Sequence, residues 1–141
     1  MLEEKLIRHI KKIQPRLSVK KIKELWQIWR YWKQHPIAKK DLLGTSCRFL
    51  RWQLGCRILG APVVFSWVEG SRLLVARGMT GATMNHYCGL HEAVDMGFLL
   101  HFLRQKDRFV DVGANVGSYT VLAGKAVGAR VLAVEPIPET F

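Results

Sequence analysis

The stretch from Arg108 to Glu139, RFVDVGANVGSYTVLAGKAVGARVLAVEPIPE, constrains this chain more than any other. Phe109-Val110-Asp111-Val112 is apolar but for one acid, the pattern of a strand covered on both faces in a parallel sheet. Gly113 follows at once, where reversal from strand to helix is easiest without a Cβ. Val116 to Val127 has helical spacing, with Val116, Tyr119, Val121, Leu122 and Val127 available for packing, and Gly128 suits its C-terminal end. Val131-Leu132-Ala133-Val134 predicts a second buried strand, closed by Glu135-Pro136. Strand, crossover helix and strand make a right-handed βαβ unit, with room for a ligand beyond the carboxyl ends of the strands.

Within that unit, Gly113 and Gly117 take the places of the first and last glycines of a dinucleotide-type turn, and Asn115 replaces the middle one. In a dinucleotide site the middle glycine lets the backbone approach a pyrophosphate. Asn115 therefore argues against NAD or FAD, and against an oxidoreductase. S-adenosylmethionine has no pyrophosphate, so the same turn tolerates Asn115 and would face the methionyl and ribose parts of that cofactor. Glu135 lies 22 residues beyond Gly113, the distance at which a carboxylate accepts hydrogen bonds from ribose hydroxyls. A plainer reading makes Asp111 and Glu135 strand-end caps and the two glycines packing residues. Asp111, the strand–helix–strand context and the placing of Glu135 together weigh against it.

Length and composition set the frame. A chain of 141 residues, 49% hydrophobic, suffices for one ordinary domain and is not a disordered composition. No apolar run approaches the roughly 20 residues that span a bilayer. Glu3, Glu4, Lys5, Arg8, Lys11 and Lys12 break any signal-peptide core, so a cytoplasmic protein is expected. Cys47, Cys56 and Cys88 form neither a disulfide framework nor a zinc pattern and read as free thiols in a reducing compartment.

The charge is concentrated at one end. Residues 1–59 carry 15 Lys/Arg against 4 Asp/Glu, whereas residues 60–141 carry 7 of each. The basic part, residues 1–60, is expected to be helical. Leu2, Leu6, Ile10 and Ile13 recur at helical spacing up to Pro15, and Glu4 pairs with Arg8. A second helix runs from a Ser18 cap to Gln34, with Ile22, Leu25, Trp26, Trp29 and Trp32 on one face, and His35-Pro36 stops it. A third runs from Lys39 or Lys40 to Leu59, with Leu43, Cys47, Leu50, Leu54 and Ile58 as its apolar stripe, Arg48, Arg51 and Arg57 largely off it, and Gly60 as its cap. Such helices pack on a domain or a second subunit, or dock on an anionic membrane surface. Charge alone gives nucleic acid only a salt-sensitive attraction, and no recognition motif accompanies it.

Residues 61–106 lead into the core. Pro62 to Val68 and Arg72 to Arg77, with Glu69-Gly70-Ser71 between them, predict a β-hairpin. Gly78 to Gly89 reads as a loop. A helix is expected from Leu90 to Arg104 with Val94, Phe98, Leu99 and Phe102 as its apolar face. His86, His91, Glu92 and Asp95 could hold a divalent ion, but the spacing is no metal signature, and a solvated helix face or loop explains them.

FVDVGANVGSYT followed by VLAVEPIPETF resembles motif I and the following acidic motif of FkbM-type, S-adenosylmethionine-dependent methyltransferases. Tyr87-x-Gly89-x-x-Glu92 and the lead-in Phe109-Val110-Asp111 are similar to that family too. The resemblance covers Tyr87 to Phe141 and is diffuse before it. It implies an α/β class I methyltransferase (Rossmann-like) fold, whose first βαβ unit would be residues 107–141, and O-methylation of a hydroxyl on a sugar or polyketide-like metabolite. It makes Asp111, Gly113, Asn115, Gly117 and Glu135 cofactor contacts or shapers of the cofactor turn. The family's acceptor pocket and base come from later strands and loops. The 141 residues offer no counterpart, so an N-terminal fragment inactive alone is expected and no catalytic residue is assigned. A non-catalytic module whose basic Trp-rich helices hold a membrane or partner is the alternative. Val110, Val112, Val131, Leu132 and Val134 are expected to be partly exposed, which favours self-association.

Overall fold

Among the described residues two separate strand pairs organise this mixed α/β chain, one antiparallel and one parallel. The computed structural model describes residues 19–138. The helix expected over residues 2–13, the stop at Pro15, the Ser18 cap and Glu139 lie outside the described residues. Contacts group the chain into two units, Met1–Tyr31 and Trp32–Phe141.

Helix α1 spans Val19–Gln34. In the first unit Ile22, Leu25, Trp26 and Trp29 of its Trp-rich face are exposed, and the Arg30 guanidinium lies 5.5 Å above the Trp26 ring, a cation–π contact. In the second unit Trp32 is buried in edge-to-face contact with Phe49 and Tyr87. His35 then turns the chain. Its Nδ1 accepts the Ala38 N–H at 3.1 Å and its Nε2 meets the His91 carbonyl at 3.1 Å, which fixes the proton on Nε2.

Helix α2, Leu42–Leu59, begins later than the spacing suggested. Lys39 and Lys40 belong to a 3₁₀ turn, Ala38–Lys40, and the Asp41 carboxylate caps the helix by accepting the Gly44 N–H at 2.8 Å. A Cβ at Gly44 would collide with that carboxylate. Gly60, with φ 61°, ends the helix as expected. The apolar stripe is where the structure corrects the sequence reading. Leu43 (83%), Leu50, Leu54 and Ile58 (82%) are exposed, as is Cys47. The packed face carries Thr45, Arg48, Phe49 and Trp52. Arg48, expected off the packed face, is held there because its Nε donates to the Tyr87 carbonyl at 2.9 Å and Nη2 to Thr45 Oγ1 at 3.0 Å. A guanidinium so bonded can sit against a domain without stranding its donors.

Strands β1 (Val63–Ser66) and β2 (Arg72–Val75) form the expected hairpin, in register from Val63 opposite Val75 to Ser66 opposite Arg72. Leu73 and Val75 are buried together with Ala82, and Trp52, Phe65, Trp67, Met79 and Val116 close around them. Residues 78–89 are not a loop: Thr80–Cys88 is helix α3. Gly78 and Gly89, both with positive φ, flank it, so two of the three apparent breakers mark its ends. Burial of Ala82, Asn85, Tyr87 and Cys88 holds it. Helix α4 is shorter than expected, Ala93–Phe102, and buries Met96 and Leu99. Val94, Phe98 and Phe102 of the expected face are exposed. The segment AVDMGFLLHF is apolar nearly all round, so periodicity alone left its orientation open.

Strands β3 (Arg108–Val112) and β4 (Arg130–Val134) pair in parallel, Arg108 opposite Arg130 and Val112 opposite Val134. The connection is helix α5, Ser118–Val121, which runs on as a π-helix, Leu122–Val127; it starts two residues later than the spacing suggested. Phe109 and Val131 pack on Leu122 and Ala123, which are buried with Met96 and Leu99. The opposite face, Val110, Val112, Leu132 and Val134, is exposed. The strands are thus covered on one face, and Val131 lies on the covered one.

Candidate functional site: the glycine turn

The turn between β3 and α5 is locked to the end of β4. Gly113 N–H and Ala114 N–H both donate to the Val134 carbonyl, at 2.8 and 3.1 Å, and Gly117 N–H closes the turn on the Ala114 carbonyl at 2.9 Å. Gly113, Asn115 and Gly117 have φ of 76°, 51° and 72°. This left-handed region is open to glycine and tolerated by asparagine. Alternate residues of the turn therefore share one backbone requirement. A Cβ at Gly113 would meet nothing, and one at Gly117 would meet only Thr120 Cβ at 3.9 Å. Both glycines are needed for their φ rather than for close packing.

Glu135 closes the mouth. Its Oε2 accepts the Asn115 N–H at 2.7 Å and its Oε1 accepts the Ile137 N–H at 2.9 Å. These two bonds orient the carboxylate at the mouth of the turn. Asp111 lies behind the turn, 9% exposed, and its Oδ2 accepts the Thr120 hydroxyl at 2.6 Å. The structure thus brings Gly113, Asn115, Gly117 and Glu135 together at the carboxyl ends of two parallel strands and turns Asp111 toward α5.

Further contacts brace the site, and sequence reasoning did not assign them. Asn85 donates to Ser118 Oγ at 3.0 Å, both groups buried, and its Oδ1 accepts the His91 N–H at 2.7 Å. Tyr119 donates its hydroxyl to Glu92 Oε2 at 2.8 Å. Burial pushes the Tyr119 phenol up, and its bond to Glu92 and the nearby carboxylates push the same way, so it stays a donor. Glu92 carried a signal, as the acid of Tyr87-x-Gly89-x-x-Glu92. Asn85 carried none, because it lies in a stretch read as loop. The other members of that motif are structural: the Tyr87 carbonyl accepts from Arg48 and the Gly89 carbonyl accepts from Trp67 Nε1.

The four residues considered for a metal point to different tasks. His86 packs against Trp52, Phe65 and Tyr87, His91 serves Asn85 and His35, Glu92 takes Tyr119, and Asp95 is exposed. Among the described residues no three His, Cys, Asp or Glu side chains are grouped to hold an ion. The three cysteines are free thiols, and burial pushes Cys88 up to about 11. Among the described residues no helix is long and apolar enough to cross a membrane. Comparison with protein-family models, curated proteins and solved structures returned no match.

Proposed function

We propose that the chain carries the S-adenosylmethionine-binding start of an FkbM-type methyltransferase, with a Rossmann-like sheet begun by β3 and β4. The observation that carries this reading is the contact of Glu135 with the Asn115 N–H, 2.7 Å, across the mouth of a turn with three left-handed residues. The donor set fits the adenosyl group. Glu135 presents a carboxylate suited to ribose hydroxyls, open space lies over Gly113, and Asn115 puts a side chain where a dinucleotide turn has the glycine that lets a pyrophosphate approach. Gly113 and Gly117 shape the turn, Asn115 stands in its middle, and Asp111 holds β3 to α5. Bound, the cofactor supplies an electrophilic methyl group, and the acceptor is a hydroxyl of a sugar or polyketide-like metabolite. Free thiols suit a reducing, cytoplasmic setting.

Calorimetric titration of S-adenosylmethionine tests it. Glu135→Ala should weaken binding at least ~tenfold, the loss of one charge-assisted bond or more. Unchanged affinity overturns the reading.

A second reading rests on α2. Its exposed stripe, Leu43, Leu50, Leu54 and Ile58, is flanked by the exposed Arg51 and Arg57, with no acid in the helix. That is the interfacial pattern for an anionic bilayer surface. Flotation with phosphatidylglycerol vesicles should capture the protein at low salt and release it at high salt. No capture at low salt rejects it.

A further inference from the structure

Helices α2 and α3 and strand β1 enclose a cleft of about 480 Å³, within the size range of small-molecule sites. Its lining is divided. Trp52 and Phe65 form an aromatic wall, each ring against His86, with centroids 5.8 and 4.9 Å apart. Arg48 and Arg51 supply cationic groups, and among the described residues no Asp or Glu lines the cleft. Arg48 is fixed by its bond to the Tyr87 carbonyl and is partly neutralised by Asp41 at 3.3 Å, on the side away from this cleft. Arg51 has no acidic partner among the described residues. Burial, and then the two guanidiniums, hold His86 below its ordinary 6.5. It is therefore neutral at pH 7 and available to donate or accept a proton in a hydrogen bond.

An unneutralised guanidinium at the edge of a partly dehydrated cleft concentrates positive potential there, and its planar fork matches carboxylate and phosphate oxygens. Aromatic walls favour a flat apolar body. We infer that this cleft binds a small aromatic anion, with its carboxylate or phosphate at Arg51 and His86 and its ring against the wall of Trp52 and Phe65. The inference does not depend on methyl transfer, and cofactor titrations neither support nor weaken it.

Calorimetry and tryptophan fluorescence of the whole chain, with 4-hydroxybenzoate, phenyl phosphate and the neutral isostere 4-hydroxybenzamide as probes, decide it. At least one anion should bind and quench fluorescence, the amide should bind at least ~tenfold more weakly, and which anion binds more tightly identifies the head group. Arg51→Ala should cost ~tenfold in anion affinity. Arg57→Ala, an exposed charge on the same helix outside the cleft, should leave affinity unchanged. Both arginines are exposed, so the folded state survives either change, and a circular-dichroism melt verifies that. Anion and amide binding alike, equal losses from Arg51→Ala and Arg57→Ala, or no binding of either anion at millimolar concentration each overturns the assignment.

Discussion

At residues 113–117 the backbone dictates residue type, whereas on α2 two faces compete for one neighbour. The turn needs a left-handed φ at three alternate positions, and the residues there are Gly, Asn and Gly. The requirement is local, so reading it needs no knowledge of what lies nearby. Helix α2 presents Leu43, Leu50, Leu54 and Ile58 along one side and Thr45, Phe49 and Trp52 along another. Hydrophobicity alone selects the first. The domain packs the second, because Phe49 meets Trp32 and Tyr87 edge to face, at 5.4 and 5.3 Å, and Arg48 finds a carbonyl there. A pattern that specifies backbone conformation keeps its meaning on folding. A pattern that only specifies where apolar surface lies depends on the partner it finds.

The largest expected effect separates the two faces of α2. Phe49→Ala should cost about 3 kcal/mol in urea unfolding, while Leu50→Ala should stay within about 0.5 kcal/mol. Equal costs would mean that the exposed stripe is the packed one. The turn comes next. Gly113→Ala and Gly117→Ala should each lose about 1–2 kcal/mol through the left-handed backbone. Gly55→Ala, in the interior of α2 with nothing within 4 Å of a new Cβ, should gain about 0.5–1 kcal/mol. If all three glycines respond alike, backbone conformation is not what selects them.

A smaller effect concerns the open face of the parallel pair. Val112→Thr combined with Leu132→Thr removes apolar surface that is already exposed. It should leave the melting temperature nearly unchanged and reduce concentration-dependent association in sedimentation velocity. The smallest effect is with pH. His86 and His91 are both lowered from 6.5, each first by burial; Arg48 and Arg51 add to the shift of His86, and Glu92 opposes that of His91. Below about 6.5 the unfolded chain binds protons that the folded one does not, so their contribution is complete above that pH and is lost as pH falls through the folded values. Melting temperature should decline on acidification from neutrality, and His86→Phe should flatten the decline. A melting temperature that rises in that window contradicts the shift. Solvent reaches both rings, which keeps the effect small.

Much of the turn and its frame was legible. Gly113, Asn115, Gly117 and Glu135 converge where their spacing suggested, β3 and β4 pair in parallel, and the hairpin turns between Ser66 and Arg72. Gly60 and His35-Pro36 stop their helices, because helix ends are set by short-range sterics and capping. The stretch 80–88 was illegible because its glycines suggested breaks. Asn85, which holds it to Ser118 and His91, finds those partners only through long-range packing. The faces of α2 and α4 were misjudged for the same reason. Each helix has more apolar surface than one neighbour covers.

By itself the sequence determined the local rules of this protein: where the backbone reverses, which positions must be left-handed, where helices stop and which strands can pair. Only the tertiary structure decided which helix faces are covered. It also decided that Glu135 is oriented by the Asn115 and Ile137 N–H groups, and that Arg51 stands beside an aromatic cleft without an acid. Those outcomes depend on groups far apart in the chain, whose distances are set by packing and are absent from any short window of residues.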